Sequence, residues 1–213
     1  MKKSYSYIGI SFIILIFGIW AVNEMGNRLS GPDLAFIEKS GKTATVPAFS
    51  FTDQNGKTIT NKDYEGKVYV VEFFFTTCPS ICPIMTESMK KVQDEFLGNP
   101  KVGIASFSID PAHDTPQVLK EYAQNKGITK LQWHLLTGEK EEIFKLANEG
   151  FNLYVGDASE VEGGFEHSGF FALIDQNGKI RSRIDENGNP IIYYDGLDDK
   201  GVQMLKEDIK KLL

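Results

Sequence analysis

Two cysteines four residues apart are the groups in this chain best suited to chemistry. Cys78 and Cys82 lie in the segment Thr76–Pro83, directly after the apolar run Lys67–Phe75. The run predicts a buried strand and the residues after Cys82 predict a helix, so the cysteines fall at a carboxyl strand end, where α/β proteins collect functional groups. A helix start also favours the thiolate, which is the reactive and metal-binding form. Dithiol redox chemistry, thiolate metal binding and peroxide reduction are all open, with a structural disulfide as the alternative without chemistry.

Metal binding requires at least one further ligand. Two thiolates are too few for a closed zinc site, which needs four nitrogen or sulfur ligands. They suit the soft ion Cu(I), completed by an imidazole. Of the three histidines, His134 lies within a predicted strand and His113 in a loop after one, whereas His167 lies between a Gly-rich segment and a strand. The pattern ranks His167 first.

The segments that must position these residues alternate between strand and helix. Further strands are predicted at Val102–Ser108, Trp133–Leu136, Phe170–Ile174 and Lys179–Ile184, the last two forming a hairpin around Asn177-Gly178. Helices are predicted at Pro83–Leu97, Thr115–Lys126, Glu139–Asn148 and Asp198–Leu213, with Thr115 and Thr137 as caps of the second and third. Met85 and Met89 fall on the apolar face of the first helix and are expected in the core. This order predicts an α/β fold, a three-layer sandwich with a mixed central sheet.

Composition excludes several classes of protein. The 213 residues are 41% hydrophobic and 24% charged, which is typical of a packed domain and not of a disordered chain. The formal net charge is -6, which argues against nucleic acid as a partner. Two cysteines are too few for a disulfide-built scaffold.

The amino-terminal segment is predicted to be a membrane anchor. Lys2 and Lys3 precede an apolar run at Ile8–Val22, which predicts one transmembrane helix with a cytoplasmic N-terminus and the remaining chain outside the cytoplasm. We predict an anchor over residues 1–24, a linker over 25–45 and the folded domain over 46–213. A cleaved signal peptide is the alternative, although residues 21–27 lack a clear small-residue cleavage site.

Four ordered segments resemble motifs of the Sco/SenC family of membrane-tethered, thioredoxin-like copper proteins. Phe74–Pro83 is similar to the family's Cys-x-x-x-Cys-Pro motif, and Ser108–Pro116 to its Asp-Pro-x-x-Asp-Thr-Pro loop. Leu136–Gly138 matches a shorter signature, and the segment from His167 to Asp175 matches the ligand histidine and the strand behind it. The resemblance covers residues 46–213.

The resemblance implies a thioredoxin-like fold that binds one copper ion through Cys78, Cys82 and His167. The ion is expected as Cu(I), and Cu(II) suits the same ligands. Family members deliver copper to, or reduce the cysteines of, the binuclear copper centre of cytochrome c oxidase, so the implied partner is the copper-receiving subunit of a respiratory oxidase. A metallochaperone is therefore expected, and a membrane-tethered thiol–disulfide oxidoreductase is the enzyme alternative. Glu166 stands where the family often has Asp.

Overall fold

The computed structural model describes residue 11 and residues 13–20, 34–157 and 164–213. The chain divides into two units, Met1–Asp33 and Leu34–Leu213. Residues 13–20 are helical, and most of the predicted anchor over residues 1–24 lies outside the described residues. Within the described ranges, no helix is long and apolar enough to cross a membrane.

The second unit is built on a mixed sheet. The strands of this unit are β1 Leu34–Phe36, β2 Glu38–Lys39, β3 Lys42–Thr43, β4 Ser50–Asp53, β5 Thr58–Thr60, β6 Val68–Phe74, β7 Val102–Ser108, β8 Trp133–Thr137, β9 Val155–Asp157, β10 Phe165–His167, β11 Phe170–Ile174, β12 Ile180–Arg183 and β13 Tyr194–Asp195. Along the mixed sheet the order is β1-β12-β11-β6-β7-β8-β4-β5, with β13 pairing with β11. Strands β6, β7 and β8 are parallel, and the flanking pairs are antiparallel.

Among the described residues of the second unit, four α-helices follow the predicted order. They are α1 Cys82–Glu95, α2 Pro116–Lys126, α3 Lys140–Lys145 and α4 Asp199–Leu212, with a 3₁₀ turn at Asn61–Tyr64. Thr115 caps α2 as predicted, because its side chain accepts from the backbone N–H of Val118 at 3.3 Å. Thr137 does not cap α3; it is the last residue of β8, and Glu139 precedes the helix. The predicted helix over Glu139–Asn148 is also wrong in its second half, where α3 passes into a π-helix at Leu146–Phe151.

Helices cover both faces of the sheet. Successive residues of a strand point to opposite faces, and β6 shows both. Phe74 packs on Tyr122 of α2, whereas Phe73 packs on Phe151 at the end of the π-helix. Every residue of β6 is buried, as expected for a central strand. The predicted three-layer mixed α/β architecture is therefore confirmed. Met85 and Met89 are fully buried, as their spacing predicted.

Three turns share the pattern Asp-x-Asn-Gly-x, and two of them join neighbouring strands, β4 to β5 and β11 to β12. At Asp53, Asp175 and Asp185, one carboxylate oxygen accepts from the backbone N–H groups two and four residues later. Each turn glycine has a positive φ, which residues with a Cβ rarely adopt. The hairpin predicted around Asn177-Gly178 is present, with β11 and β12 antiparallel.

The ordered domain begins before the predicted boundary at Val46. Residues 34–43, assigned to the linker from their composition, form β1, β2 and β3. The edge strand β1 is held by Arg181, whose guanidinium donates to the carbonyl of Leu34 at 2.8 Å and lies 4.0 Å from the Phe36 ring centroid. These contacts are with residues far away in the chain, and β1 has only three residues, too few for a periodic pattern to reveal.

Candidate metal site

The two cysteines lie on either side of a helix start. Strand β6 ends at Phe74, the chain turns through residues 75–81, and α1 begins at Cys82 with a proline in its first turn, where no N–H is needed. Cys78 therefore lies in the turn and Cys82 on the helix, and both are free thiols. Their exposed fractions are only 8% and 1%, so apolar surroundings shield both sulfur atoms from water.

The third residue comes from a separate two-stranded sheet. Strands β9 and β10 pair with each other, and His167 is the last residue of β10. Its Nε2 lies 3.0 Å from the Sγ of Cys82, although 85 positions separate the two residues. Its Nδ1 lies 3.2 Å from the carbonyl oxygen of Ser168, which can only accept a hydrogen bond. Nε2 is therefore the ring nitrogen that faces the sulfur atoms.

The three side chains form one compact cluster. The sulfur atoms of Cys78 and Cys82 and a ring nitrogen of His167 all lie within 4.8 Å of one another. The ring of Phe75 contacts the His167 ring nearly edge-on, with centroids 5.8 Å apart, and closes one side of the cluster. Two sulfurs and one imidazole nitrogen at this separation can hold one soft metal ion.

The surroundings of the two cysteines shift their thiol pKa values in opposite directions. The pKa of Cys78 is lowered to about 3, chiefly because the thiol of Cys82 hydrogen-bonds to its thiolate. His167 and the backbone N–H groups of Ser80 and Cys82 add to this effect, while burial opposes it. The pKa of Cys82 is raised, because its proton is shared with Cys78 and because it is buried. A thiolate is thus favoured at Cys78 and not at both cysteines, and its chief cause is the hydrogen bond from the Cys82 thiol and not the helix start.

The other two histidines lie away from the cluster. His134 is on β8, where its Nδ1 lies 3.0 Å from a carboxylate oxygen of Asp53. His113 is half-exposed, and its Nδ1 lies 3.0 Å from Asp114. The ranking of His167 above both histidines therefore agrees with the geometry.

The loop after β7 braces the turn that carries Cys78. The Asp114 carboxylate is fully buried and accepts from the backbone N–H of Thr76 at 3.0 Å and from the Ser108 hydroxyl at 2.5 Å. Thr76 lies two residues before Cys78. Asp114 therefore ties the loop after β7 to the turn that carries Cys78.

Glu72 is a buried acid that sequence reasoning did not single out. It lies in the middle of β6, and its Oε1 accepts from the Ser106 hydroxyl at 2.6 Å. Among the described residues, its Oε2 is the only buried side-chain nitrogen or oxygen without a hydrogen-bond partner. Burial raises the pKa of Glu72 to about 8, against a smaller lowering by Ser106. The available signal was one charged residue inside a run that is otherwise apolar.

Comparison with known proteins gives one consistent result. A model of the SCO1/SenC family matches residues 37–199. The SCO1 protein homolog of Bacillus subtilis is 35% identical over 152 residues, which cover 70% of this chain and 77% of that protein. The chain spans about half to two thirds of the length of the other curated relatives it matches.

Two solved structures extend this similarity to the fold. BsSco aligns with a TM-score of 0.66 and 30% identity. It is described as having a disulfide switch and as a member of the Sco family of cytochrome c oxidase assembly proteins. That alignment covers 79% of this chain and 93% of BsSco. Copper-bound ScoI of Bradyrhizobium japonicum aligns with a TM-score of 0.64 and 25% identity, over 80% of this chain and 100% of ScoI.

Proposed function

Since the chain belongs to the SCO1/SenC family, we propose that it is a copper metallochaperone that assists assembly of the binuclear copper centre of cytochrome c oxidase. One copper ion is held by Cys78, Cys82 and His167. The observation that carries the proposal is the convergence of these three ligand atoms within 4.8 Å. Copper in a Sco protein of similar fold, and the printed description of BsSco as belonging to a family of oxidase assembly proteins, support the choice of metal and recipient.

The donor set suits a transferable Cu(I) ion. Two thiolates supply the soft ligands that Cu(I) prefers, and an imidazole completes a three-coordinate site. Such a site leaves room for a ligand of the recipient to join before the chaperone's ligands leave. Cys82 retains its proton in the metal-free protein and loses it when copper binds. Copper binding therefore releases a proton, and the affinity for copper falls as the pH falls.

Oxidation offers a way to release the metal. When Cys78 and Cys82 of the copper-bound protein form a disulfide, the two thiolates lose two electrons to an oxidised partner disulfide, which takes up two protons from water and becomes a dithiol. The product disulfide no longer offers thiolate ligands, so copper is held only by His167 and dissociates.

Titration of the reduced full-length chain, purified in detergent, with Cu(I) against a competing chelator tests the proposal. We expect one copper per chain, with binding abolished by the double change of Cys78 and Cys82 to Ser and weakened by His167→Ala. The matched control is His134→Ala, which removes a partly buried histidine that lies outside the cluster. A complex that withstands replacement of both cysteines contradicts the proposal.

The split between the two thiols favours a second function, that of a thiol–disulfide oxidoreductase. Cys78 is the thiolate expected to attack a partner disulfide, and Cys82 is the thiol expected to resolve the mixed disulfide. His167→Ala separates the two functions. Loss of copper retention with little change in exchange against a model disulfide assigns His167 to the metal, whereas equal loss of both assigns it to thiol chemistry.

The amino-terminal segment supports a membrane location for this activity. We propose that residues 1–24 anchor the chain, with Lys2 and Lys3 in the cytoplasm and the domain outside it. Protease added to intact spheroplasts is then expected to digest the domain, and the intact mass of the isolated protein is expected to retain Met1 or Lys2. A mature chain that begins near residue 25 contradicts the anchor and supports a cleaved signal peptide.

A further inference from the structure

His167 depends on a small sheet that does not pair with the main one. Among the residues that the structure describes, β9 and β10 pair only with each other, and their register places His167 opposite Val155. The position of the His167 ring against Cys82 depends in part on this hairpin, because β10 pairs with β9 as well as leading into β11 at Phe170. The residues that fix Val155 therefore also fix the imidazole.

Asn148 binds the backbone of Val155 through its side chain. Its Nδ2 donates to the Val155 carbonyl at 2.9 Å, and its Oδ1 accepts from the Val155 N–H at 3.1 Å. The same Nδ2 donates to the carbonyl of Phe144 at 3.0 Å. The side-chain amide thus takes the place of a peptide group on a neighbouring strand and joins β9 to α3.

The backbone around Asn148 has an unusual form. The residue lies in the π-helix Leu146–Phe151, which directly continues α3. π-helical turns are rare and occur often at functional sites. Here the widened turn carries the residue whose amide reaches Val155, and Val155 itself is buried.

The other contacts of the β9–β10 hairpin fix its orientation less strongly than the hydrogen bonds of Asn148 do. Lys140 forms an ion pair with Asp157 at 2.5 Å and lies 5.1 Å from the Phe165 ring centroid, but the Lys140 and Asp157 side chains are 42% and 65% exposed, and such pairs contribute little. Phe165 packs on Phe75 with ring centroids 5.3 Å apart, which resists separation but allows sliding. Among the described contacts of β9 with α3 and the π-helix, Asn148 supplies two directional hydrogen bonds to one backbone residue.

We propose that Asn148 is a positioning residue for the copper ligand His167, acting through Val155. This inference rests on the proposed function, in which His167 is a ligand. Without the amide, β9 loses its attachment to the helix, and the imidazole spends less time facing the two sulfurs. Groups that orient a metal-binding histidine typically change metal affinity by about 10- to 100-fold when they are removed.

A double-mutant cycle on Cu(I) affinity tests the inference. Asn148→Ala is compared with wild type and, separately, in the His167→Ala background. We expect a loss of about tenfold in the first comparison and a change within about twofold in the second, because no imidazole is left to position.

Gln54 provides the matched control. Its side-chain amide also makes one donating and one accepting bond to a strand backbone, here to two residues of β8: it donates to the Trp133 carbonyl at 3.0 Å and accepts from the Leu135 N–H at 2.8 Å. Gln54→Ala is therefore expected to lower the unfolding temperature as Asn148→Ala does, yet to leave Cu(I) affinity unchanged. A merely structural effect of Asn148 would make the two variants alike in both measurements.

The results distinguish failure of the positioning role of Asn148 from failure of the ligand role of His167. If His167→Ala weakens copper binding and Asn148→Ala does not, the inference is overturned and the proposed ligand set stands. An equal loss from Asn148→Ala with and without His167 also overturns it. If His167→Ala has no effect, the ligand set itself fails. Should Asn148→Ala not fold, Asn148→Asp retains the acceptor for the Val155 N–H, and the same cycle is measured with it.

Discussion

Glu72 makes the stability of this domain depend on pH in a direction opposite to that of most carboxylates. Its side chain is 2% exposed, and one of its oxygens has no hydrogen-bond partner. Burial disfavours the charged form and raises the pKa of Glu72 from 4.5 to about 8. In the unfolded chain the same carboxyl ionises freely. The change Glu72→Gln removes the ionisation and keeps an oxygen that can accept from Ser106.

The expected effect follows from proton linkage. Because the pKa is higher in the folded state, the folded protein binds more protons between pH 4.5 and about 8. The stabilisation is fully present below the unfolded pKa and is lost as the pH rises through the folded pKa. Between roughly pH 5 and pH 9, this one group is expected to lower the free energy of unfolding by about 4 kcal/mol.

Chemical denaturation of the reduced, metal-free protein measures the effect. The free energy of unfolding of wild type minus that of Glu72→Gln is followed from about pH 5 to pH 9, so that other titrating groups largely cancel. The amide group that Glu72→Gln introduces is a buried, unsatisfied donor, which adds an offset of about 1–3 kcal/mol that does not vary with pH. We expect the difference to fall by about 4 kcal/mol across the range. Parallel curves refute the reasoning, because they mean that Glu72 ionises as it does in water.

Three further predictions concern single residues. Cys78 is a thiolate above about pH 3. Its alkylation rate in the metal-free protein, measured by peptide mass spectrometry, is therefore expected to be flat between roughly pH 5 and 8. A tenfold rise in the alkylation rate per pH unit contradicts the lowered pKa of Cys78. Ile192 has a φ of 71°, a backbone conformation that strains a β-branched residue. Ile192→Asn is therefore expected to stabilise the protein by about 1 kcal/mol in thermal unfolding. The control is Ile184→Asn, which should give no gain because Ile184 is similarly exposed but has no positive φ. Thr115→Ala removes the cap of α2 and is expected to cost about 1 kcal/mol, and an unchanged denaturation midpoint contradicts this role.

Much of the fold could be predicted from the sequence because the central strands are buried on both faces. A continuous apolar run such as Lys67–Phe75 permits few other structures, and Val102–Ser108 is a strand with the predicted bounds. Thr115 followed by proline marks a helix start by local chemistry alone. Short elements behave differently: β1 is stabilised by Arg181, which lies 147 positions after Leu34, and nothing within Leu34–Phe36 reveals this.

The site was predictable in its residue types but not in its geometry. The spacing of Cys78 and Cys82 and their place after a buried strand indicate thiolate chemistry within one local segment. That His167 meets Cys82 depends on how β9 and β10 pack, which no local pattern determines. The role of Asn148 could not be predicted for the same reason, since its partners lie on other elements, whereas Glu72 was marked by its charge within an apolar run.

X-ray absorption at the copper edge tests the central claim most directly, because it reports the atoms bound to the metal. The reduced full-length chain, loaded with one equivalent of Cu(I), is compared with its His167→Ala variant. We predict two sulfur neighbours and one nitrogen neighbour in wild type, and loss of the nitrogen in the variant. A wild-type site with only sulfur neighbours, or a nitrogen neighbour that persists without His167, contradicts the claim that these three side chains share one copper ion.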